Sequence, residues 1–154
     1  MRGRFPHSRD LRRGRISQRG QIYLVTTRCH SGQKPFADLF LGHIVVDEIC
    51  YLDNAGVSRT FAYVVMPDHL HWLFELNIDD SLSRVVGRLK GRAARRINLA
   101  RKKTMSVWQP GFHDHALRRI ENLHEAGYYI FENPVRAGLV KHRDDYSLSY
   151  LARV

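Results

Sequence analysis

The hydrophobic residues of this chain form two kinds of pattern. The first, short runs of β-branched and aromatic side chains, is typical of β-strands. Residues 21–28 (QIYLVTTR) are rich in β-branched and aromatic side chains and predict an opening strand. Residues 59–66 and 69–76 predict two more strands, which the short Pro67-Asp68 turn would join into a hairpin. A fourth, short strand is predicted within residues 108–117, after a Pro-Gly turn.

The second pattern, in which apolar residues recur every three or four positions, is typical of amphipathic helices. The first predicted helix spans residues 38–54, with an aspartate as its N-cap, and the second begins after the cap at residues 79–81 and runs to about Lys102. A third helix is predicted over residues 121–132, ending before Pro134. The resulting order β-α-β-β-α-β-α predicts an α+β, ferredoxin-like domain: an antiparallel sheet with helices on one face, plus an added C-terminal helix.

Length and composition indicate one compact domain. The chain has 154 residues, of which 44% are hydrophobic and 26% charged, so it can bury a core without disulfide or metal support. The longest apolar run, residues 61–66, is too short to cross a membrane, and we expect a cytoplasmic protein with no membrane partner. Cys29 and Cys50 are expected to be reduced thiols. We place a flexible basic arm at residues 1–19 and the folded domain at residues 20–154.

The positive charge is concentrated in two segments. The net charge is +10; residues 1–20 hold seven arginines against one aspartate, and residues 84–103 hold nine Lys or Arg and no acid. Such segments are typical of a polyanion binder and favour nucleic acid as the partner, although a solvated helix face with a loose tail would also explain them. The residues expected to hold phosphates are Arg12, Arg13 and Arg15 in the arm and Arg84, Arg88, Lys90, Arg92, Arg95 and Arg96 on the second helix.

A pair of histidines in the third predicted strand is a candidate metal site. His69 and His71 flank Leu70, and because side chains alternate across a strand, both imidazoles point to the same face. Two neutral imidazoles on a rigid strand suit a divalent cation. A structural or surface role for the pair stays open, since the spacing alone does not distinguish it from His113-x-His115.

The predicted C-terminal helix carries two tyrosine candidates. Tyr129 and Asn133 are four residues apart and would share one helical face, joining a phenol to an oxygen ligand. A divalent cation nearby would favour the phenolate, which can attack a phosphodiester. Tyr128 is the competing nucleophile, and its partner at four residues, Glu132, is the better metal ligand by charge. Amphipathic packing is the alternative for either tyrosine.

Three ordered motifs give the chain its family resemblance. They are Val65-Met66-Pro67-Asp68-His69-Leu70-His71-Trp72, then Trp108-Gln109-x-x-Phe112, then Tyr129-Ile130-x-x-Asn133-Pro134-Val135-Arg136-Ala137-Gly138-Leu139-Val140. With these motifs the chain resembles the single-tyrosine HUH transposases, HUH denoting His-hydrophobic-His. An N-terminal stretch, Gly14-Arg15-Ile16-Ser17-x-x-Gly20-x-x-Tyr23-Leu24-Val25-Thr26, resembles more narrowly the REP-associated tyrosine transposases. The resemblance covers about residues 12–145.

The resemblance implies a role for each matching position. His69 and His71 match the paired metal ligands, Asn133 matches the third ligand, and Tyr129 matches the nucleophile. The implied cofactor is Mg²⁺ or Mn²⁺, without a nucleotide, and the implied substrate is single-stranded DNA beside a hairpin, cut through a 5′-phosphotyrosine. A monomer is favoured over a homodimer.

Two other functions are compatible with parts of the pattern. The first is a non-catalytic nucleic-acid binding module, in which sheet aromatics such as Tyr23, Tyr63 or Trp72 stack on bases. The second is a zinc hydrolase built on the histidine pairs, for which the sequence has neither a His-Glu-x-x-His motif nor a cysteine-rich ligand set.

Overall fold

This computed structural model describes residues 17–118 and 120–153, and within them five strands and four helices form. The strands are β1 (Ile22–Arg28), β2 (Ser58–Met66), β3 (His69–Leu76), β4 (His113–Leu117) and β5 (Ser149–Leu151). The helices are α1 (Leu39–Asn54), α2 (Leu82–Arg101), α3 (Ile120–Phe131) and α4 (Asn133–Arg136). The predicted α+β class and the predicted order through α3 are confirmed.

The strands form a single antiparallel sheet in the order β4-β1-β3-β2-β5. The predicted hairpin is β2-β3, whose last pair joins Met66 to His69 across the Pro67-Asp68 turn. Strand β5 was not predicted, because three residues are too few to show an alternating pattern. It forms because residues 62–64 of β2 offer an open edge to residues 149–151.

The helices cover both faces of the sheet. On one face α1 and α2 pack over a large core that includes Trp72 and Phe74 of β3. On the other face α3 packs through Leu123 and Ile130 onto a smaller cluster that includes Leu73. The added C-terminal helix therefore lies opposite the other two. Because residues alternate along β3, the face that α3 covers is also the face of His69 and His71.

Local capping explains where the two long helices begin and end. The Asp38 carboxylate accepts a hydrogen bond from the Phe40 amide at 2.9 Å, and the Ser81 hydroxyl accepts one from the Arg84 amide at 3.1 Å. Helix α2 ends at Lys102, which adopts a left-handed conformation with φ 53°. The predicted caps and ends of α1 and α2 thus agree with the structure.

The C-terminal helix differs from its prediction. We expected Tyr129 and Asn133 to share one helix, but α3 ends at Phe131 and Asn133 is the first residue of α4. Pro134 lies in the first turn of α4, where its missing N–H needs no helical partner. The same proline would interrupt a continuous helix, and the chain begins a new one instead.

Two residues of the predicted N-terminal arm form hydrogen bonds with the folded domain. The Ser17 hydroxyl accepts a hydrogen bond from the Leu82 amide at 2.8 Å, and the Gln18 amide donates to the Tyr23 hydroxyl at 3.2 Å. Both residues fall in the segment predicted to be a flexible arm. Arg12, Arg13 and Arg15 lie outside the described residues.

In the residues that the structure describes, the cysteines agree with the expectation of reduced thiols. Cys29 is buried and Cys50 is exposed, and both are free thiols. No helix there is long and apolar enough to span a bilayer.

Candidate active site

The two histidines of β3 form a compact pair. Their ring centroids are 4.8 Å apart and the rings are nearly perpendicular, at 81°. The His69 side chain is 14% exposed, and His71 is also only partly exposed. The strand spacing predicted this juxtaposition, and the structure brings the two imidazoles together on the face that α3 covers.

One ring nitrogen of each histidine already has a partner. Nδ1 of His69 lies 2.6 Å from Oδ1 of Asp68, and Nδ1 of His71 lies 2.7 Å from Oγ1 of Thr26. An ionised carboxylate can only accept, so His69 carries its proton on Nδ1, and the Thr26 hydroxyl can accept the Nδ1 proton of His71 in the same way. Each imidazole then has the Nε2 lone pair available to a metal, which is the arrangement that hydrogen-bonded metal ligands show.

The electrostatics of the pair favour neutral imidazoles. Burial lowers the pKa of His69, although the adjacent Asp68 carboxylate opposes the shift. Burial lowers the pKa of His71 to about 3. The neighbouring His69 and the cations Arg28 and Arg136 act on His71 in the same direction. Both side chains are therefore uncharged at neutral pH, which is the form that binds a metal ion.

Tyr129 lies on α3, next to the buried Ile130 that packs against the sheet. Its side chain is 38% exposed. The Arg136 guanidinium lies over the Tyr129 ring, with Cζ 4.0 Å from the ring centroid, and its charge contributes to the low pKa of His71. One cation thus contacts the phenol and also lies within electrostatic range of His71.

Tyr128 faces a different environment. It lines a cavity of about 470 Å³ together with Phe61 and Leu151, and Tyr129 is not part of that lining. The Arg143 guanidinium lies 5.3 Å from the Tyr128 ring centroid and also pairs with Glu132, with an N–O distance of 3.3 Å. Glu132 is therefore engaged with Arg143 instead of with the histidines.

The donor set at the histidine pair fits a hard or borderline divalent ion. Among the described residues the Asn133 side-chain amide has no hydrogen-bond partner, so its oxygen is available to a ligand. Within the same residues no three His, Cys, Asp or Glu side chains come together as a metal-binding group. A complete site would combine the ring nitrogens of His69 and His71 with an oxygen ligand, for which Asn133 and Glu132 are the two candidates.

Three of the six basic residues predicted on α2 are engaged within the protein. Arg92 and Arg96 both bind the buried Glu48 carboxylate, at 2.7 Å and 3.0 Å. The Lys90 ammonium donates to the carbonyls of Gln109 and Gly111. These contacts join α2 to α1 and to the segment before β4, which sequence reasoning did not anticipate.

The other three basic residues of α2 remain candidates for phosphate contact. Arg84, Arg88 and Arg95 are exposed, and Arg84 makes only a long pair with Asp80 at 3.7 Å. They lie on a helix that covers the face opposite His69. A nucleic acid bound by these arginines would have to pass around a sheet edge to reach the histidine pair.

The sheet aromatics named for base stacking are largely unavailable. Trp72 is fully buried, its indole N–H donates to the Thr60 hydroxyl at 2.9 Å, and Tyr23 is buried as well. Tyr63 is partly buried and stacks on Tyr150, with ring centroids 5.7 Å apart. Of these three rings, Tyr63 alone keeps part of its surface exposed, so Tyr23 and Trp72 are not available to stack on bases.

Four residues near the site were missed as participants by sequence reasoning, namely Thr26, Arg28, Asp68 and Arg136. Asp68 could have been found, since it precedes His69 directly in the turn. Thr26 becomes relevant only through the register of β1 on β3, which pairs it with His71. The same register continues to β4, where Thr26 also pairs with His113, so strand β1 separates the second histidine pair from the first.

Comparison with known proteins places these residues in a wider context. Residues 45–132 match a family model described as Transposase IS200 like, a span that includes both histidines and Tyr129. A REP-associated tyrosine transposase of Escherichia coli K12 is 32% identical over 93 residues, which cover 60% of this chain and 53% of that protein. A Haemophilus influenzae relative, a putative REP-associated tyrosine transposase, is 29% identical over 105 residues, covering 62% and 60%. The chain thus spans between about half and 60% of the length of these relatives.

A solved structure of a REP-associated tyrosine transposase bound to a REP hairpin has the same fold. The TM-score is 0.72 at 24% identity, over 88% of this chain and 79% of that one. At this identity the likeness concerns the architecture of the sheet and its helices.

Proposed function

The chain belongs to the IS200-like transposase family, and we propose that it is a metal-dependent single-strand DNA endonuclease and strand transferase. The proposed targets are sites beside hairpins formed by REP-like palindromes. The observation that carries the proposal is the histidine pair itself: two neutral imidazoles, each with its Nδ1 atom hydrogen-bonded, lie on the face of the sheet that the tyrosine helix covers.

In this proposal His69, His71 and Asn133 hold a Mg²⁺ or Mn²⁺ ion. When bound, the ion supplies Lewis-acid stabilisation of charge on the scissile phosphate. Asp68 and Thr26 hold the two rings in the tautomer and orientation that metal binding needs.

Tyr129 is the proposed nucleophile. Its phenolic oxygen forms a bond to the phosphorus, the phosphorus–O3′ bond breaks, and the leaving 3′ oxygen takes up a proton while the phenol loses its own. The products are a 5′-phosphotyrosine and a free 3′-OH. Attack of another 3′-OH on the phosphotyrosine reverses these bond changes and joins strands, so the energy of the phosphodiester is conserved and no nucleotide cofactor is needed.

The hairpin partner is proposed from two independent features. The related solved structure holds a REP hairpin, and this chain carries exposed arginines at positions 84, 88 and 95, with further arginines in its first 16 residues. Cations of this kind bind phosphates without reading sequence. We further propose that the protein acts as a monomer in the cytoplasm, where chromosomal DNA would supply the substrate.

A covalent-adduct assay tests the proposal. The full chain is incubated with end-labelled single-stranded hairpin DNA and Mn²⁺ and then run on a denaturing gel. We expect an adduct that requires the metal, disappears with Tyr129→Phe and persists with Tyr128→Phe, the matched control on the adjacent residue. An adduct that disappears with Tyr128→Phe and persists with Tyr129→Phe would overturn the choice of nucleophile. Tight hairpin binding with no adduct would favour a binding module instead.

A further inference from the structure

We propose that Arg136 is a positioning residue that holds the Tyr129 phenol in the orientation for attack. This inference rests on the proposed function of Tyr129 and adds a group to that site which neither strand spacing nor metal-ligand logic would indicate. It is carried by the contacts of the Arg136 guanidinium.

Arg136 reaches Tyr129 at two places. Its guanidinium carbon lies 4.0 Å from the centroid of the phenol ring, and its Nη2 donates a hydrogen bond to the Tyr129 carbonyl. A planar guanidinium that stacks on a ring and also bonds the backbone of the same residue restrains the side chain against its own main chain. Rotation of the ring about the Cα–Cβ bond would break the stacking contact.

The break between α3 and α4 makes this contact possible. The amides of Val135 and Arg136 both donate to the Glu132 carbonyl at 3.1 Å, so the chain turns tightly after α3. Gly138, with φ 75°, then ends the short helix. The tight turn carries Arg136 back over the residue seven positions earlier. The short helix thus supplies a candidate metal ligand at its first residue and the restraining cation at its last.

Among the residues that the structure describes, no acidic side chain pairs with Arg136. Within residues 17–118 and 120–153 it forms no ion pair, whereas Arg143, the cation near the neighbouring Tyr128, is paired with Glu132. The two adjacent tyrosines therefore differ in the cation that each one contacts. Of the two, the Tyr129 ring has the arginine whose positive charge remains available to a phosphate.

A restrained nucleophile reacts faster because less orientational freedom is lost on the way to the transition state, and small misplacements reduce rates strongly. Lysine at position 136 would keep the charge but not the planar stack and its fixed hydrogen-bond geometry. Alanine would keep neither. The three side chains at this position therefore separate charge from orientation.

The test measures single-turnover adduct formation by the full chain with saturating hairpin DNA and Mn²⁺. We expect Arg136→Ala to lower the rate constant by about tenfold or more, Arg136→Lys to lie between it and the wild type, and hairpin affinity to change less than about twofold. Added guanidinium ion at low millimolar concentration should recover part of the Arg136→Ala rate, which no merely structural defect would allow. Arg143→Ala, a matched arginine truncation near the adjacent tyrosine, should retain the wild-type rate.

A rate for Arg136→Ala within about twofold of wild type would overturn the inference, and so would a slow Arg136→Ala that guanidinium does not rescue. Thermal melting of each variant, followed by circular dichroism, shows whether a reduced rate reflects unfolding. If Arg136→Ala is unfolded, Arg136→Lys provides the test, and a wild-type rate for that variant would contradict the inference. Failure of the proposed function is a distinct result, because the wild-type protein would then form no Tyr129 adduct at all.

Discussion

Thr26 and His71 are paired across β1 and β3, and the Thr26 hydroxyl lies 2.7 Å from Nδ1 of His71. The contact determines which nitrogen of the imidazole faces a ligand. Its counterpart on the other histidine is the Asp68 carboxylate. A strand neighbour and a turn residue therefore orient the two rings, and both can be changed without removing a proposed ligand.

We expect Thr26→Val and Asp68→Ala to weaken metal binding while the fold is kept. Removing the hydrogen bond that orients a ligating histidine costs about 10–100-fold in metal affinity or activity. The measurement is the Mn²⁺ concentration that gives half-maximal adduct formation. Thr26→Ser keeps the hydroxyl and should need the wild-type concentration, and an unchanged Mn²⁺ requirement in Thr26→Val would contradict the assigned role.

The arginines of α2 should divide into two groups in hairpin binding. Truncating Arg84, Arg88 and Arg95 together should weaken hairpin binding. The slope of log affinity against log salt concentration should become shallower by about 0.7–0.9 for each phosphate that is no longer neutralised. Truncating Arg92 and Arg96 should leave that slope nearly unchanged, because their guanidinium groups are held by Glu48.

Filter binding or anisotropy at several salt concentrations makes this comparison. The double truncation at Arg92 and Arg96 should instead lower the melting temperature, since it leaves the buried Glu48 carboxylate without its partners. An equal change of slope in the two sets of truncations would contradict the division between the arginines that pair with Glu48 and the other three.

Two glycine substitutions should have opposite effects on stability. A Cβ at Gly42 would overlap Cδ1 of Leu148, which is fully buried, so Gly42→Ala should destabilise by about 1–3 kcal/mol. Gly91 is exposed on α2 with no atom near its would-be Cβ, and Gly91→Ala should stabilise by about 0.5–1 kcal/mol through helix propensity. Urea denaturation of both variants measures the difference, and a stable Gly42→Ala would show that Leu148 can move aside.

The two thiols should react at very different rates. Burial raises the pKa of Cys29 to about 12, and the side chain is 2% exposed, so it should be inert in the native state. Cys50 is exposed and should react with a disulfide reagent, more slowly than a free thiol at pH 8, because partial burial and nearby carboxylates raise its pKa. One thiol per chain should titrate before unfolding and two afterwards, and Cys50→Ser should leave none in the native protein.

Much of the fold was predictable because its signals are local. The apolar runs of β2 and β3 and the capping residues Asp38 and Ser81 lie within a few positions of the structure that they specify. The proximity of His69 to His71 follows from the strand period alone. Strand β5 and the break after Phe131 were missed, because one depends on an edge supplied by β2 and the other on a proline that a simple helical count overlooks.

By itself the sequence determined the first four strands and first three helices, the histidine pair and the family to which the chain belongs, because each is encoded in short-range pattern. Tertiary structure alone decided which partners those residues meet: that Thr26 orients His71, that Glu48 occupies two arginines expected to face DNA, and that Arg136 lies on Tyr129. Such contacts join residues up to 48 positions apart, and they depend on strand register and helix packing, which no local spacing encodes.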